Sequence, residues 1–439
     1  MKKILIALVL CPSVLWAQMN PIAFEEYDLD NGLHVILHED HSTPIVAVSV
    51  SYHVGSKNED PSRTGFAHFF EHLLFEGSEN IGRGEYMKLI QDNGGVLNAN
   101  TSFDRTFYYE ILPSNQLELG LWMESERMLH AKIDQIGVDI QREVVKEELR
   151  ERNENTPYGS IMNEIFEHAF VEHPYRWTPG GSPEYINQAN LSEFMDFYKT
   201  FYLPNNACVS IAGDIDPDQA KEWIEKYFGS IAKGTQPVPR PTIVEPEKFA
   251  EVRDTVYDNI QLPAVVQAYH GPAQGTEDAY AVEMMSMVLS QGNSSRLQKN
   301  VVDKQQKAVF AGAFPMPTED PGLLLMFGIA NMGIEVLDLE ESMNMEVEKM
   351  TKDLISIEEF EKLQNQIEND FVSGNSSVAG IAESLSDYYL YYKGETNLVN
   401  TELERYLKIS REDILAAAKK YLRVENRVTL HYLPKTDKE

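Results

Sequence analysis

Apolar positions recur along this chain in two periods, and each switch of period marks an element boundary. Tyr27 to Leu29 and Leu33 to Leu37 flank Asn31-Gly32, which predicts a hairpin. Ile45 to Tyr52, rich in valine and serine, reads as a strand. A helical stretch opens near Gly65 and carries His68 to Phe75, and Tyr86 to Asp92 predicts another helix, ended by Gly94-Gly95. Val96 to Thr101 and Thr106 to Ile111 alternate as paired strands. Asn115 to Glu154 and Asn187 to Tyr202 have helical period. Ala207 to Ala212 is a strand ended by Gly213-Asp214, and Asp216 to Phe228 a helix with Pro217 near its start.

Composition changes between Ala232 and Pro246, where Gly234, Pro237, Pro239, Pro241 and Pro246 predict a stiff linker. Beyond it the order of elements repeats. Ala264 to Tyr269 is strand-like, Ala279 to Leu289 helical, and Gly292 to Arg296 a turn into a further helix. Ala308 to Pro315 and Leu323 to Ile329 are strand-like, Glu335 to Asn375 is a long acidic helical region, and Arg427 to Leu433 is the last strand. The expected organisation is a domain over 21–231, a linker over 232–250 and a second domain over 251–439, related by duplication without quotable identity.

The whole chain has 439 residues, 43% apolar and 24% charged, which argues against disorder, a collagen-like fibre or a multi-span membrane protein. Its net charge of -31 makes nucleic acid a poor partner, because phosphate is repelled, and weakly favours basic ligands. Lys2 and Lys3, the apolar run Ile4 to Leu10 and the site Leu15-Trp16-Ala17 predict a secretory signal over 1–17, with a periplasmic or secreted destination. The run is too short to span a bilayer. Leu10 is bulkier than the small residue expected before a lipoprotein cysteine, which disfavours anchoring through Cys11. Removal of the leader leaves Cys208 without an intrachain partner, in an apolar run that predicts burial.

The string His68-Phe69-Phe70-Glu71-His72 carries the chemistry. Residues four apart on a helix share a face, so both imidazoles reach one metal, and Glu71 stands beside them. Zinc lowers the pKa of a water and polarises a carbonyl, while a neighbouring carboxylate accepts the proton. His-x-x-Glu-His is the inverzincin order. Phe66, Phe69, Phe70, Leu73, Leu74 and Phe75 do not suit a solvated helix face, and buried histidines beside a glutamate need partners or a metal. A catalytic zinc takes a third protein ligand and keeps one position open. Glu148 lies near a stripe with Gln141, Val144 and Val145, while Glu147 points to solvent. Spacing alone does not choose among so many carboxylates.

A resemblance does. Thr64 to Ser78, Gly94 to Ser102, Gln141 to Arg150, Tyr202 to Ala207, Gly213 to Asp216 and Ser294 to Leu297 resemble segments of the pitrilysin/insulinase metallopeptidases, in a short form similar to mitochondrial processing peptidase subunits. The resemblance implies an α+β fold of two homologous α/β sandwich domains, mainly antiparallel sheets backed by helices, two such chains closing like a clam shell. It implies one zinc per chain held by His68, His72 and Glu148, with Glu71 activating the water. Asn98, Ala99, Asn100 and Thr101 would bind an extended peptide by strand addition.

Two positions depart from the family pattern. Gln141 stands where the family has a supporting glutamate, so an amide replaces a charge. Val302 and Val309 stand where members that complete the site carry an arginine and a tyrosine, and valine cannot donate to an oxyanion. Arg296 and the run Tyr388 to Tyr392 are not at matching positions, and the latter reads as packing or surface. The expectation is a zinc endopeptidase for small unfolded peptides. It would work as a heterodimer with a related chain that supplies the arginine and tyrosine, with a homodimer as the alternative. A silent peptide-binding subunit and a zinc hydrolase of non-peptide substrates are the competing classes.

Overall fold

The hydrophobic runs assemble into two sheets. The structure, a computed structural model, describes residues 21–435, so the leader expected over 1–17 lies outside the described residues. The first half begins with β1 (Glu25–Asp28), β2 (His34–Glu39) and β3 (Ile45–Tyr52). Helices α1 (Phe66–Leu73) and α2 (Glu85–Asp92) follow, then β4 (Val96–Thr101) and β5 (Thr106–Pro113). Helices α3 (Leu117–Leu129), α4 (Gln135–Arg150), α5 (Ile161–Ala169), α6 (Pro183–Gln188) and α7 (Leu191–Phe201) lead to β6 (Ala207–Gly213) and α8 (Pro217–Phe228). The second half runs β7 (Val252–Asp258), β8 (Ala264–His270), α9 (Glu277–Ser290), β9 (Ala308–Met316) and β10 (Leu323–Ala330). It ends with α10 (Val336–Lys352), α11 (Ile357–Gly374), α12 (Val378–Tyr391), α13 (Leu398–Lys408), α14 (Arg411–Tyr421) and β11 (Arg427–Pro434). No described helix is long and apolar enough to cross a membrane.

The sheet orders are β1-β2-β6-β3-β5-β4 and β7-β11-β8-β10-β9. Without β1 the two are the same pattern. One strand pairs in parallel with the last strand of its half, β2 with β6 and β7 with β11, and the other pairs are antiparallel. The duplication suggested by element order is thus present as topology. Strand β7 has no apolar run, since Arg253, Asp254 and Thr255 are exposed, and so it escapes a reading by periodicity. The two long charged stretches each divide. Residues 130–134 separate α3 from α4, and 353–356 separate α10 from α11, where Ser356 accepts a bond from the Glu359 amide and starts the new helix.

Each sheet is covered on one face by helices of its own half and on the other by a helix from the opposite half. In β3, Val46, Val48, Val50 and Tyr52 join the main core of the first half, together with α1, α3, α7 and α8. Ala47 faces the other way, with Cys208 and Ala212 of β6, against Val378, Ile381, Ala382 and Leu385 of α12. These small residues let α12 lie close to the sheet, and the Ser51 hydroxyl donates to the Ser386 hydroxyl at 2.9 Å. Reciprocally, Ile165, Phe166 and Ala169 of α5 pack on Val266, Ala268, Leu325 and Leu430 of the second sheet. Burial on both faces explains why β3 and β6 read as unbroken runs rather than as alternating strands.

A buried lysine ties the halves together. Lys57, only 3% exposed, donates to Glu319 at 2.5 Å and Asp320 at 3.1 Å, and lies 2.8 Å from Asp104. His53 reaches the same Glu319 carboxylate at 3.0 Å. Burial by itself would raise the Glu319 pKa, but the His53 hydrogen bond and the Lys57 charge outweigh it and hold the group at about 2. A depressed carboxylate stabilises the fold above its ordinary value, and that contribution is lost as pH falls through the folded value. Glu319→Gln is therefore expected to cost roughly 2 kcal/mol at pH 7, with the difference from the parent shrinking between about pH 4.5 and pH 2. Denaturant unfolding across that range checks it, and a pH-independent difference would contradict the assignment.

Candidate metal centre

Helix α1 is eight residues long, too short to be stable in isolation. Its apolar face is aromatic. Phe66 and Phe69 stack on Phe194 at 4.6 and 4.5 Å, and Phe70 packs on Phe197 and Tyr202 at 5.6 and 5.1 Å. Both ends are held by buried polar side chains from elsewhere. The N-cap Gly65 has φ +97° and no side chain to cap with, and the Glu59 carboxylate accepts from the Gly65 and Ala67 amides at 2.9 and 2.8 Å instead. A Cβ on Gly65 would meet the Gly180 carbonyl oxygen at 2.9 Å. Burial pushes the Glu59 pKa up to about 8 against those bonds. At the other end Arg127 donates to the Leu74 carbonyl at 2.9 Å and pairs with Glu124 at 3.0 Å. Its guanidinium sits over the rings of Phe75, Tyr86 and Tyr108 at 4.3–4.8 Å. The Arg127 charge has the sign that complements its end of the helix dipole. Nearby Glu110 is fully buried, and burial and the neighbouring Glu124 raise its pKa.

The opposite face of α1 presents His68, Glu71 and His72 toward Glu148 of α4. The two Nε2 atoms are 3.3 Å apart. Glu148 Oε2 is 3.0 Å from His72 Nε2, and Oε1 is 3.6 Å from His68 Nε2. One donor atom from each of the three residues lies within 4.8 Å of the others. Two donors at about 2.0–2.1 Å from a tetrahedral zinc sit roughly 3.3–3.4 Å apart, so the spacing and the donor set of two imidazoles and one carboxylate fit that ion. The imidazoles hydrogen-bond the Glu148 carboxylate and hold it well below the usual carboxylate range. Val145 and Leu149 bury the inner face of α4, and Glu147 is solvated and pairs with Arg150 at 2.5 Å. Val144, expected on the inner stripe, is 44% exposed instead. Helix α4 ends in a π-helical turn, Glu151–Asn155, three residues past Glu148. Such turns recur at functional sites.

A cavity of about 1020 Å³ opens from this cluster. Ala99, Asn100 and Thr101 of β4 line it, beside His68, Glu71 and Glu148. Strand β4 is the edge of its sheet and pairs only with β5. Ala99 points into the core, Asn98 and Asn100 point out, and the Thr101 hydroxyl donates to Glu71 Oε2 at 2.6 Å. Gln141 touches no ligand atom. Its amide donates to Glu76 Oε1 at 2.6 Å, and Glu76 also pairs with Arg83, so the buried charge at this place belongs to Glu76.

The far wall differs from the sequence expectation. Tyr388, Tyr391 and Tyr392, expected as packing or surface, line the cavity together with Arg105 and Asp387. The cause is α12, whose other face covers the first sheet and so carries these rings to the metal side. The Tyr388 and Tyr392 hydroxyls both donate to Glu402. Arg105 is matched by Glu383 and Asp387. Val302 and Val309 do not line the cavity. Val302 packs partly buried in the second core, and Val309 is exposed on β9.

Residues 34–177, which contain the cluster, match the family described as insulinase (peptidase family M16), and residues 188–367 match the peptidase M16 inactive domain. The zinc protease PqqE of Helicobacter pylori is 30% identical over 413 residues, 93% of each chain. A probable mitochondrial-processing peptidase subunit beta of Arabidopsis thaliana is 23% identical, over 83% of this chain and 70% of that one. The crystal structure of a protease from Helicobacter pylori superposes with a TM-score of 0.90 at 30% identity, covering 94% of this chain and all of that one. The periplasmic protease PqqL of Escherichia coli shares the fold, with a TM-score of 0.77 at 18% identity over 93% of this chain and 47% of that one.

The pinning of α1 can be measured. Arg127→Met leaves buried carboxylates without their cation and is expected to cost roughly 3–5 kcal/mol. Glu59→Gln keeps an acceptor and is expected to cost about 1 kcal/mol. Urea unfolding of the two variants should give that ranking, and the reverse order would contradict it.

Proposed function

This chain belongs to the insulinase family of peptidases, family M16, and from that premise we propose that it is a zinc metalloendopeptidase that cuts small unfolded peptides. The observation that carries the proposal is the convergence of His68, His72 and Glu148 on one point, with the Glu71 carboxylate in the same cavity. His68, His72 and Glu148 would hold the zinc, one ion per chain. Bound zinc supplies Lewis acidity, activating a water and polarising the scissile carbonyl. Glu71 takes the proton from the attacking water and passes it to the leaving amine. A peptide pairs in extended form with the open edge of β4 along Asn98, Ala99, Asn100 and Thr101. Such pairing needs an extended segment with free backbone groups. The segment 21–231 carries the metal chemistry, and 251–439 closes the cavity with α12. Gln141 acts through Glu76, which restores a buried charge near the site.

A second, related chain completes the site in this proposal. Val302 and Val309 lie away from the cavity, and among its described lining residues Arg105 is matched by two carboxylates while Tyr388 and Tyr392 are bonded to Glu402. A homodimer would bring Val302 and Val309 to that place, which leaves a developing oxyanion without donors. The expected leader, and the likeness to a protease named as periplasmic, support a periplasmic or secreted location.

Quenched fluorescent peptides test the chemistry. The assembly isolated through a tag on this chain should cleave them, and its Glu71→Gln counterpart should be slower by roughly 10²–10⁴-fold. Equal rates would contradict the assignment of Glu71. The chain purified alone should bind zinc yet cleave at least about 100-fold more slowly than the assembly. Full activity of the lone chain would contradict the division of labour.

A further inference from the structure

We propose that Thr101 is the positioning residue for the catalytic base, and that the base takes its orientation from the strand on which the peptide is aligned. The inference rests on the peptidase reading above and deepens it. Glu71 has three rotatable side-chain bonds and projects from α1 into a cavity, where a free carboxylate would sample many directions. A contact on one oxygen restricts it. The Thr101 hydroxyl donates to Oε2 at 2.6 Å, a charge-assisted bond of the strong, short kind. Oε1 is left free for the proton of the attacking water, as an ionised carboxylate accepts on both oxygens.

The identity of the donor matters as well as its presence. Threonine is β-branched, and its χ1 is restricted on a strand, so the direction of Oγ1 follows from the backbone of β4. Thr101 is the last residue of that strand, opposite Thr106 of β5 in register. Thr106 is itself fixed, since its hydroxyl donates to the Val54 carbonyl at 2.9 Å. The path therefore runs from the sheet to Thr101 to Glu71. Peptide and base share one frame, because Asn98 to Asn100 of the same strand form the edge that the peptide extends. A role for Thr101 limited to holding substrate would affect binding. A role in aiming Glu71 affects the chemical step.

Steady-state kinetics of the tagged assembly separates these. Thr101→Val keeps the shape and removes the hydroxyl, and is expected to lower kcat about ten- to a hundredfold with KM within about twofold, a part of the roughly 10²–10⁴ that the base supplies. Thr101→Ser restores the hydroxyl without the branched stiffness and is expected to recover kcat to within about fivefold of the parent. Zinc content, measured by atomic emission, should be unchanged in both. The inference is overturned if Thr101→Val keeps the parental kcat, if its loss lies in KM alone, if zinc is lost with the hydroxyl, or if serine is as impaired as valine. Glu71→Gln run in parallel keeps the two readings apart. A Glu71→Gln assembly with parental activity overturns the assignment of Glu71 as the base, on which the inference rests, whereas a dead Glu71→Gln beside an unaffected Thr101→Val overturns only the positioning role.

Discussion

Everything at this site depends on an eight-residue helix that cannot hold itself. A segment of that length has too few internal hydrogen bonds to offset its nucleation cost. It must also present two imidazoles and a carboxylate on one face. The fold answers with three external constraints. Phe194, Phe197 and Tyr202 grip the aromatic face, Glu59 satisfies two leading amides, and Arg127 takes up the Leu74 carbonyl. The Arg127 charge is buried, where its interaction with the helix dipole is least screened. The price is a buried arginine among carboxylates, stacked on three aromatic rings.

The second constraint is architectural. A sheet buried on both faces needs a cover on each, and here each half supplies one cover for the other. Helix α12 lies on β3 and β6 through small residues, and α5 lies on the second sheet. This exchange places the tyrosines of α12 across the cavity from α1. It also explains why the halves meet through a dense ionic contact at Lys57 rather than through the linker alone.

Much of this is legible in the sequence because the relevant signals are local. His68 to His72 needs only helical spacing, β3 only an apolar run, and Asp216-Pro217 only cap chemistry. The rest depends on contacts between distant residues. Glu59 is one acidic residue in a polar loop until Gly65 and Ala67 are seen to point at it. Arg127 follows Glu124 and Glu126 in a charged stretch that reads as solvated, yet it is 1% exposed. The tyrosines at 388–392 lie 240 or more residues beyond Glu148, the last member of the metal cluster, and no periodicity relates them to it. Thr101 reads as an ordinary edge residue, and only the 2.6 Å bond to Glu71 gives it another meaning. Glu148 belongs between the two groups, since periodicity marks its helix while its selection over Glu147 needs a resemblance and the direction of the α4 inner face.

The central claim is that the fold presents a formed His68, His72 and Glu148 set to zinc. The most direct measurement is a zinc titration by calorimetry of the parent chain, Glu148→Gln and Glu147→Gln. The account predicts one ion per parent chain, the same affinity within about threefold for Glu147→Gln, and at least about a hundredfold loss for Glu148→Gln. Equal losses at the two glutamates, or none at Glu148, would contradict it.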